Sequence, residues 1–376
     1  MVNVNPVSSP RNILIIFYEE KMFIGDSYIL INKLSACQSY FPDAAIDINC
    51  CNKKYTGLCA ALLKHNPFIS NFNNMEWHEL DYSAYDIVFC ILPDEQKLLQ
   101  VLQDKYTDAA YWPTTIYSLT AQFINTHLNP NIISAFPPFT AMLNNQDLVT
   151  QEHAMELYIS PEERDWAYNW LREHGLKEHE RLFIILDNTS DREKLMTMDT
   201  YYGVLSYLLN QDAVKVLIYD ETGVGKESFY RTWIGEDKLS KMIFANKLGL
   251  RQDICLLGAE QTRLILGPCT GLMHCASGIY NYFVRTGRPV ASLPSIITYT
   301  GKYIDADDTP DHWWGNAPLV TCLIVRQDEN DGKEVVVLHQ LSEDEKKDAT
   351  RLLPCKYFSA DMLIRFLPAI RNELLI

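Results

Sequence analysis

The amino-acid sequence points to an α/β protein built as two doubly wound, Rossmann-like domains facing a cleft. Three observations carry that expectation. Short, continuous apolar runs recur, as expected of strands buried on both faces of a parallel sheet. Helix-period segments separate them, and the layout occurs twice with a charged, Trp-rich break near 150–180. In the second half an apolar run stops at a small-residue turn and a helix-compatible segment starts at once. Ligands of such folds gather at the carboxyl ends of the strands.

Taken in order, Asn12–Tyr18 (NILIIFY) reads as a buried strand. A loop over Glu19–Ile24 leads to Gly25-Asp26, after which Ile29, Leu30, Leu34, Cys37 and Phe41 recur at helical spacing. Pro42-Asp43 ends that helix, and Ala45–Cys50 is a second strand, completing a βαβ unit. Leu58–Lys64 and Glu95–Lys105 read as helices and Asp86–Leu92 as a strand, while Tyr111–Pro138 resists assignment. Ser160-Pro161-Glu162-Glu163 opens a helix with a capping Ser, a Pro at its first position and acids in its first turn. Beyond it, strands are expected at Leu182–Leu186, Val214–Tyr219 and Arg263–Leu266, with helices at Thr200–Leu209 and Leu250–Gly258. Pro289–Leu293 is a further candidate strand, and Tyr357–Leu375 a terminal amphipathic helix.

The bulk numbers narrow the classes of partner. With 376 residues, 47% hydrophobic and 22% charged, the chain has the make-up of a globular protein with a well-buried core. A formal charge of −15 argues against nucleic acid and against an anionic membrane surface as partners. It leaves room for a small phosphorylated ligand, which needs only a few local donors. The ten cysteines form no C-x-x-C pair, which matches neither a zinc site nor a disulfide framework and suits a reducing cytoplasm. The first residues lack the layout of a signal peptide, and no run of about 18 apolar residues is present to span a membrane.

The segment most suited to chemistry is Leu264–Ile279 (LILGPCTGLMHCASGI). Gly267, Pro268 and Gly271 end the strand sharply, and Thr270 is placed to cap the following helix through its hydroxyl. The helix's first amides and the positive end of its dipole then face whatever lies above the turn, an arrangement that holds phosphate. Gly223-Val224-Gly225-Lys226 has some look of a phosphate loop but lacks the G-x-x-x-x-G-K-[ST] spacing. His174 and His179, five apart in a charged run, are poor metal ligands.

Several of these residues together resemble the family 9 glycosyltransferases, the heptosyltransferase-like group. Gly25-Asp26 followed by Phe41-Pro42-Asp43 resembles the family's first motif, and Asn66-Pro67-Phe68-Ile69 its Asn-Pro-aromatic-aliphatic step. Tyr85-Asp86-Ile87-Val88 resembles its Tyr-Asp-Leu-Val strand entry. Lys194–Tyr201 resembles the Lys-x-Trp-Pro segment without its Trp and Pro, and Pro268–Ala276 resembles Asn-Asp-Ser-Gly-Pro-x-His-x-Ala. The similarity spreads over roughly residues 12 to 290 and is weakest between 100 and 180.

The resemblance implies a GT-B fold and an inverting, metal-independent transfer of a sugar, a heptose among the options, from a nucleotide-diphosphate donor such as ADP-heptose. No cofactor is implied beyond that substrate. Residues 1–160 would form the acceptor-binding domain and 178–357 the nucleotide-sugar domain. A helix over 358–376 would pack back towards the first. Asp26 stands where the family keeps its general base, with Glu19 and Glu20 as rivals and Gly25 on the same acceptor side. Lys194 would neutralise the departing diphosphate. Thr189, Ser190, Cys269, Thr270, Gly271 and Leu272 would line the donor, and His274 would either donate to a phosphate oxygen or brace the turn. Glu221, past the strand at 214–219, suits a ribose hydroxyl, with Glu227 as the alternative. Trp313-Trp314-Gly315 would stack on a sugar or anchor a loop. Cys269 stands where the family has an acid, which opens a second reading: a degenerate member that binds nucleotide or a partner without transfer. The acceptor — glycan, glycolipid, protein or small molecule — is left open.

Overall fold

The computed structural model describes residues 9–17, 22–25, 41–91, 100–101, 104–105, 115–118, 155–301, 319–328, 332–347 and 350–367. The chain divides into two compact units, Met1–Tyr158 and Ile159–Ile376.

The first unit holds a five-stranded sheet: β1 (Asn12–Phe17), β2 (Ala45–Cys50), β3 (Asn71–Asn73), β4 (Ile87–Ile91) and β5 (Thr115–Ser118). The order is β3-β2-β1-β4-β5 and every pairing is parallel. Ile13 to Phe17 are at most 1% exposed, because a central parallel strand is covered on both faces. The Asp86 carboxylate accepts the amides of Arg11 (2.7 Å) and Asn12 (3.0 Å), tying the start of β1 to β4. Helix α1 (Thr56–Leu63) follows β2. β5 lies within the stretch that defied assignment, where Pro and aromatic residues mask a four-residue strand.

The second unit begins with α2 (Pro161–Glu173). Its capping box is complete: the Ser160 hydroxyl accepts the Glu163 amide, and the Glu163 carboxylate accepts the Ser160 amide, both at 3.2 Å. Such a cap contributes about 1 kcal/mol. The sheet contains β6 (Arg181–Ile185), β7 (Val214–Asp220), β8 (Met242–Asn246), β9 (Thr262–Pro268), β10 (Ser295–Tyr299), β11 (Val320–Gln327), β12 (Lys333–Val337) and the two-residue β13 (Leu352–Leu353). Its order is β12-β11-β10-β9-β6-β7-β8, parallel from β8 to β11, with β12 and β13 both antiparallel to β11. The connecting helices are α3 (Met198–Leu209), α4 (Lys226–Ile234), α5 (Glu236–Leu239), α6 (Leu250–Leu257) and α7 (Gly271–Arg285), with short α8 (Glu343–Lys347) and α9 (Ala360–Ile364) near the end.

This order places a topological switch point between β6 and β9: from β6 the chain proceeds outward to β7 and β8, then returns to β9 and proceeds the other way. Two elements differ from expectation. Pro289–Leu293 is not a strand; Val290–Ser292 form a 3-10 turn with Val290 54% exposed, between prolines at 289 and 294 that remove ladder amides. The strand is the following apolar run, Ser295–Tyr299. In the terminal segment only Ala360–Ile364 is helical within the described residues. It packs on α3 of its own unit, where Thr200 donates to the Phe358 carbonyl at 2.7 Å and Gly203 leaves no room for a side chain against Ala360.

Candidate functional site

At the switch point, β6 and β9 approach so closely that a Cβ on Gly267 would stand 2.6 Å from the Leu186 Cβ and 2.7 Å from its carbonyl oxygen. Only glycine fits. β9 ends at Pro268, and the Cys269 amide donates to the Tyr299 carbonyl at 3.0 Å, anchoring the turn to β10. Thr270 is the N-cap of α7, in extended conformation, but its hydroxyl makes no capping bond. Its carbonyl instead accepts the amides of Met273 (3.0 Å) and His274 (3.2 Å). The amides of Thr270, Gly271 and Leu272 find no acceptor among the described residues. Three unsatisfied donors at the positive end of a fifteen-residue helix form a place for an anion.

His274 lies one turn in, 4% exposed. Burial, and after it the charge of Lys194, pulls its pKa down to about 3, so the imidazole is neutral at physiological pH. It can offer a hydrogen bond there but not a charge. Lys194 closes a short 3-10 turn, Arg192–Lys194, that Asp191 caps by accepting the Glu193 amide at 2.9 Å. The ammonium also acts on the Cys355 thiol, which burial pushes up to about 12. Lys194, His274, Cys269 and Cys355 therefore share one neighbourhood, though they are far apart in sequence. Cys269 is buried, and no disulfide links any of the nine described cysteines. The Thr189 hydroxyl accepts the Asp191 amide at 3.4 Å, and Ser190 is exposed.

At the end of β7, the turn with the look of a phosphate loop carries its own anion. The Asp220 carboxylate accepts the amides of Val224 (2.9 Å), Gly225 (3.0 Å) and Lys226 (3.1 Å). Burial alone would raise its pKa; these bonds and the Lys226 charge outweigh that and lower it. No amide of this set remains for a ligand. Glu221 follows, its side chain 33% exposed. Glu227, the alternative, pairs with Arg231 on the outer surface of α4 at 3.0 Å.

Four functional candidates escape sequence reasoning. The Lys226 ammonium donates to Asp187 Oδ1 at 2.6 Å and to the Tyr219 carbonyl, and lies 3.8 Å from Glu221 Oε2. The Tyr230 hydroxyl donates to Asp187 Oδ2 at 2.8 Å and is 2.7 Å from the Tyr201 hydroxyl. Asp253, on α6, is 2% exposed, its Oδ1 has no hydrogen-bond partner, and burial followed by the Glu221 charge pushes its carboxyl up to about 7. An acid directly behind the strand LFIIL marks Asp187 as a switch-point residue, but nothing in the sequence pairs it with a lysine 39 positions on. On the first unit, Gly25 is helical and half-buried; Asp26, Glu19 and Glu20 lie outside the described residues, as do Trp313, Trp314 and Gly315.

No family model matches the chain, and no curated protein matches it in sequence. Solved structures do. A family 9 glycosyl transferase from Veillonella parvula DSM 2008 superposes with a TM-score of 0.55 at 15% identity, over 83% of this chain and 85% of that one. The ADP-heptose lps heptosyltransferase II of E. coli gives 0.58 at 14% identity, over 90% and 97%. The likeness extends over most of both chains and defines the fold class as GT-B, two Rossmann-like α/β units in one chain. In fold the chain resembles the family 9 glycosyltransferases. No helix among the described residues is long and apolar enough to cross a membrane.

Proposed function

We propose that the protein is an inverting glycosyltransferase that uses a nucleotide-diphosphate sugar and needs no metal. The observation that carries this reading is the turn at Pro268–His274, where three open amides at the β6/β9 switch point meet the neighbourhood of Lys194. The donor diphosphate rests on the amides of Thr270, Gly271 and Leu272, with Lys194 supplying countercharge as it departs. Asp26 takes the proton of the acceptor hydroxyl. The acceptor oxygen then bonds to the anomeric carbon, whose bond to the diphosphate breaks, and the nucleoside diphosphate leaves. A heptose donor is supported by the likeness to a heptosyltransferase, and a cytoplasmic setting by the unlinked cysteines.

The second reading is a binding protein of the same fold without transfer, favoured by the buried Cys269 where an acid is expected from the resemblance. Nucleotide release from a panel of nucleotide sugars, with acceptor extract, separates the two. The wild type releases nucleotide and Asp26→Ala does not; Gly271→Val, which thrusts a branched side chain into the cradle, loses nucleotide binding. Binding without release by the wild type overturns the transferase reading, and full affinity in Gly271→Val overturns the cradle.

A further inference from the structure

Resting on the nucleotide reading above, the geometry points to Lys226 as the positioning residue of a ribose subsite, holding the Glu221 carboxylate towards the hydroxyls of the bound nucleoside.

In a doubly wound domain, the acid beyond the second strand is the one placed to accept hydrogen bonds from a ribose diol. β7 is the second strand of its unit; it ends on one acid, Asp220, and is followed by another, Glu221. Asp220 has none of the required freedom, because three backbone amides of the following turn occupy its oxygens. Glu221 shows no hydrogen bond to the described residues and is one-third exposed, so its carboxylate has acceptor capacity within reach of solvent. Among the described residues, the cation within 4 Å of it is Lys226.

Lys226 is itself fixed, at 14% exposure. Of its three ammonium protons, one goes to Asp187 and one to the Tyr219 carbonyl, while Glu221 Oε2 lies 3.8 Å from the nitrogen. That separation is too long for a hydrogen bond and short enough for attraction. Glu221 is thus held by charge while its acceptor capacity is left open. Asp187 makes this possible: with one oxygen on Lys226 and the other on Tyr230, it keeps the ammonium from collapsing onto Glu221. The Glu221 charge also acts on the buried Asp253 of α6, so a nearby cation offsets the crowding of two acids. One ammonium between Asp187 and Glu221 also tempers the repulsion that two carboxylates would exert on a nearby diphosphate.

The test measures binding of ADP, GDP, UDP and CDP, and then of the tightest binder's 2′,3′-dideoxy analogue, to folded wild type and variants. Wild type is expected to prefer the ribonucleotide by about tenfold or more, the yield of at least one hydrogen bond to a charged acceptor. Lys226→Met brings that preference close to one while the dideoxy affinity stays, Lys226→Arg restores it, and Lys226→Met adds nothing on a Glu221→Gln background. Asp187→Asn, which keeps the lysine but frees it to bond Glu221 directly, also blunts the preference and serves if Lys226→Met does not fold. An undiminished preference in Lys226→Met or Asp187→Asn overturns the inference and leaves the nucleotide reading standing. Equal loss of both ligands in Lys226→Met makes Lys226 a plain countercharge or a prop and overturns it too. If wild type binds none of the four diphosphates, the nucleotide reading itself fails and this inference with it.

Discussion

The guanidinium of Arg251 closes on the carboxylate of Glu163 in two parallel bonds, with Nε 2.9 Å from Oε1 and the terminal nitrogen on Oε2. Each side chain is 13% exposed, and the pair fastens α2 to α6 while Glu163 also completes the capping box of α2. Truncating one member strands the other's charge in a desolvated site. Arg251→Ala is expected to cost about 3 kcal/mol in denaturant unfolding. The joint replacement Glu163→Leu with Arg251→Met should cost less than the single change; equal or greater loss would refute the account of the pair as a buried charge problem.

Gly267→Ala tests the strand approach at the switch point. The new Cβ meets the Leu186 Cβ and carbonyl oxygen at 2.6 and 2.7 Å, so β6 and β9 must part. Overpacking of this kind costs about 2 kcal/mol. A midpoint unchanged from wild type would mean that the strands separate freely.

Asp253 gives a pH dependence of definite sign. Its carboxyl titrates near 7 in the folded protein and near 3.8 when unfolded. Between those values the folded state holds a proton that the unfolded chain has released, so stability falls as pH rises through that window. The effect is on the order of 4 kcal/mol. Asp253→Asn, neutral throughout, should flatten the curve of melting temperature against pH from 4 to 7 and exceed wild type above it. Parallel curves for the two proteins would exclude the assignment.

His274 acts in the opposite sense. Its imidazole titrates at about 3 when folded and near 6.5 when unfolded, so stability is lost as pH falls from 6.5 towards 3. The loss is on the order of 5 kcal/mol, and His274→Gln should remove much of that slope. Because the Lys194 charge contributes to the depression, Lys194→Met should raise the His274 titration point, read by NMR of the imidazole protons. No movement would separate the two residues and weaken the case for a shared site.

Much of the fold was legible because its signals are local. LFIIL, VKVLIY and NILIIF are continuous apolar runs, and a strand covered on both faces has little choice but to read that way. Ser160-Pro161-Glu162-Glu163 announces its helix because capping needs only neighbours three residues apart. The turn at Pro268–Gly271 was recognisable for the same reason. Less visible were β8, a run of only four apolar residues, and β11 and α4, whose apolar positions are interrupted by polar ones and gain meaning only when packed. The Thr270 hydroxyl shows the limit at finer scale: its position at the cap follows from sequence, but the bond does not form.

By itself, the order of residues determined two α/β units, the place of the helix start at 271 and the candidacy of Glu221 and His274, since each depends on spacing along the chain; the candidacy of Lys194 rests on the resemblance. Only the tertiary structure decided which groups meet. It set β6 beside β9 and brought the charge of Lys194 to bear on His274. It filled the glycine turn at 223–226 with Asp220 and seated Lys226 between Asp187 and Glu221. Parallel crossovers join strands distant in sequence, and the energies of buried charges depend on distance and dielectric, which a one-dimensional order does not contain.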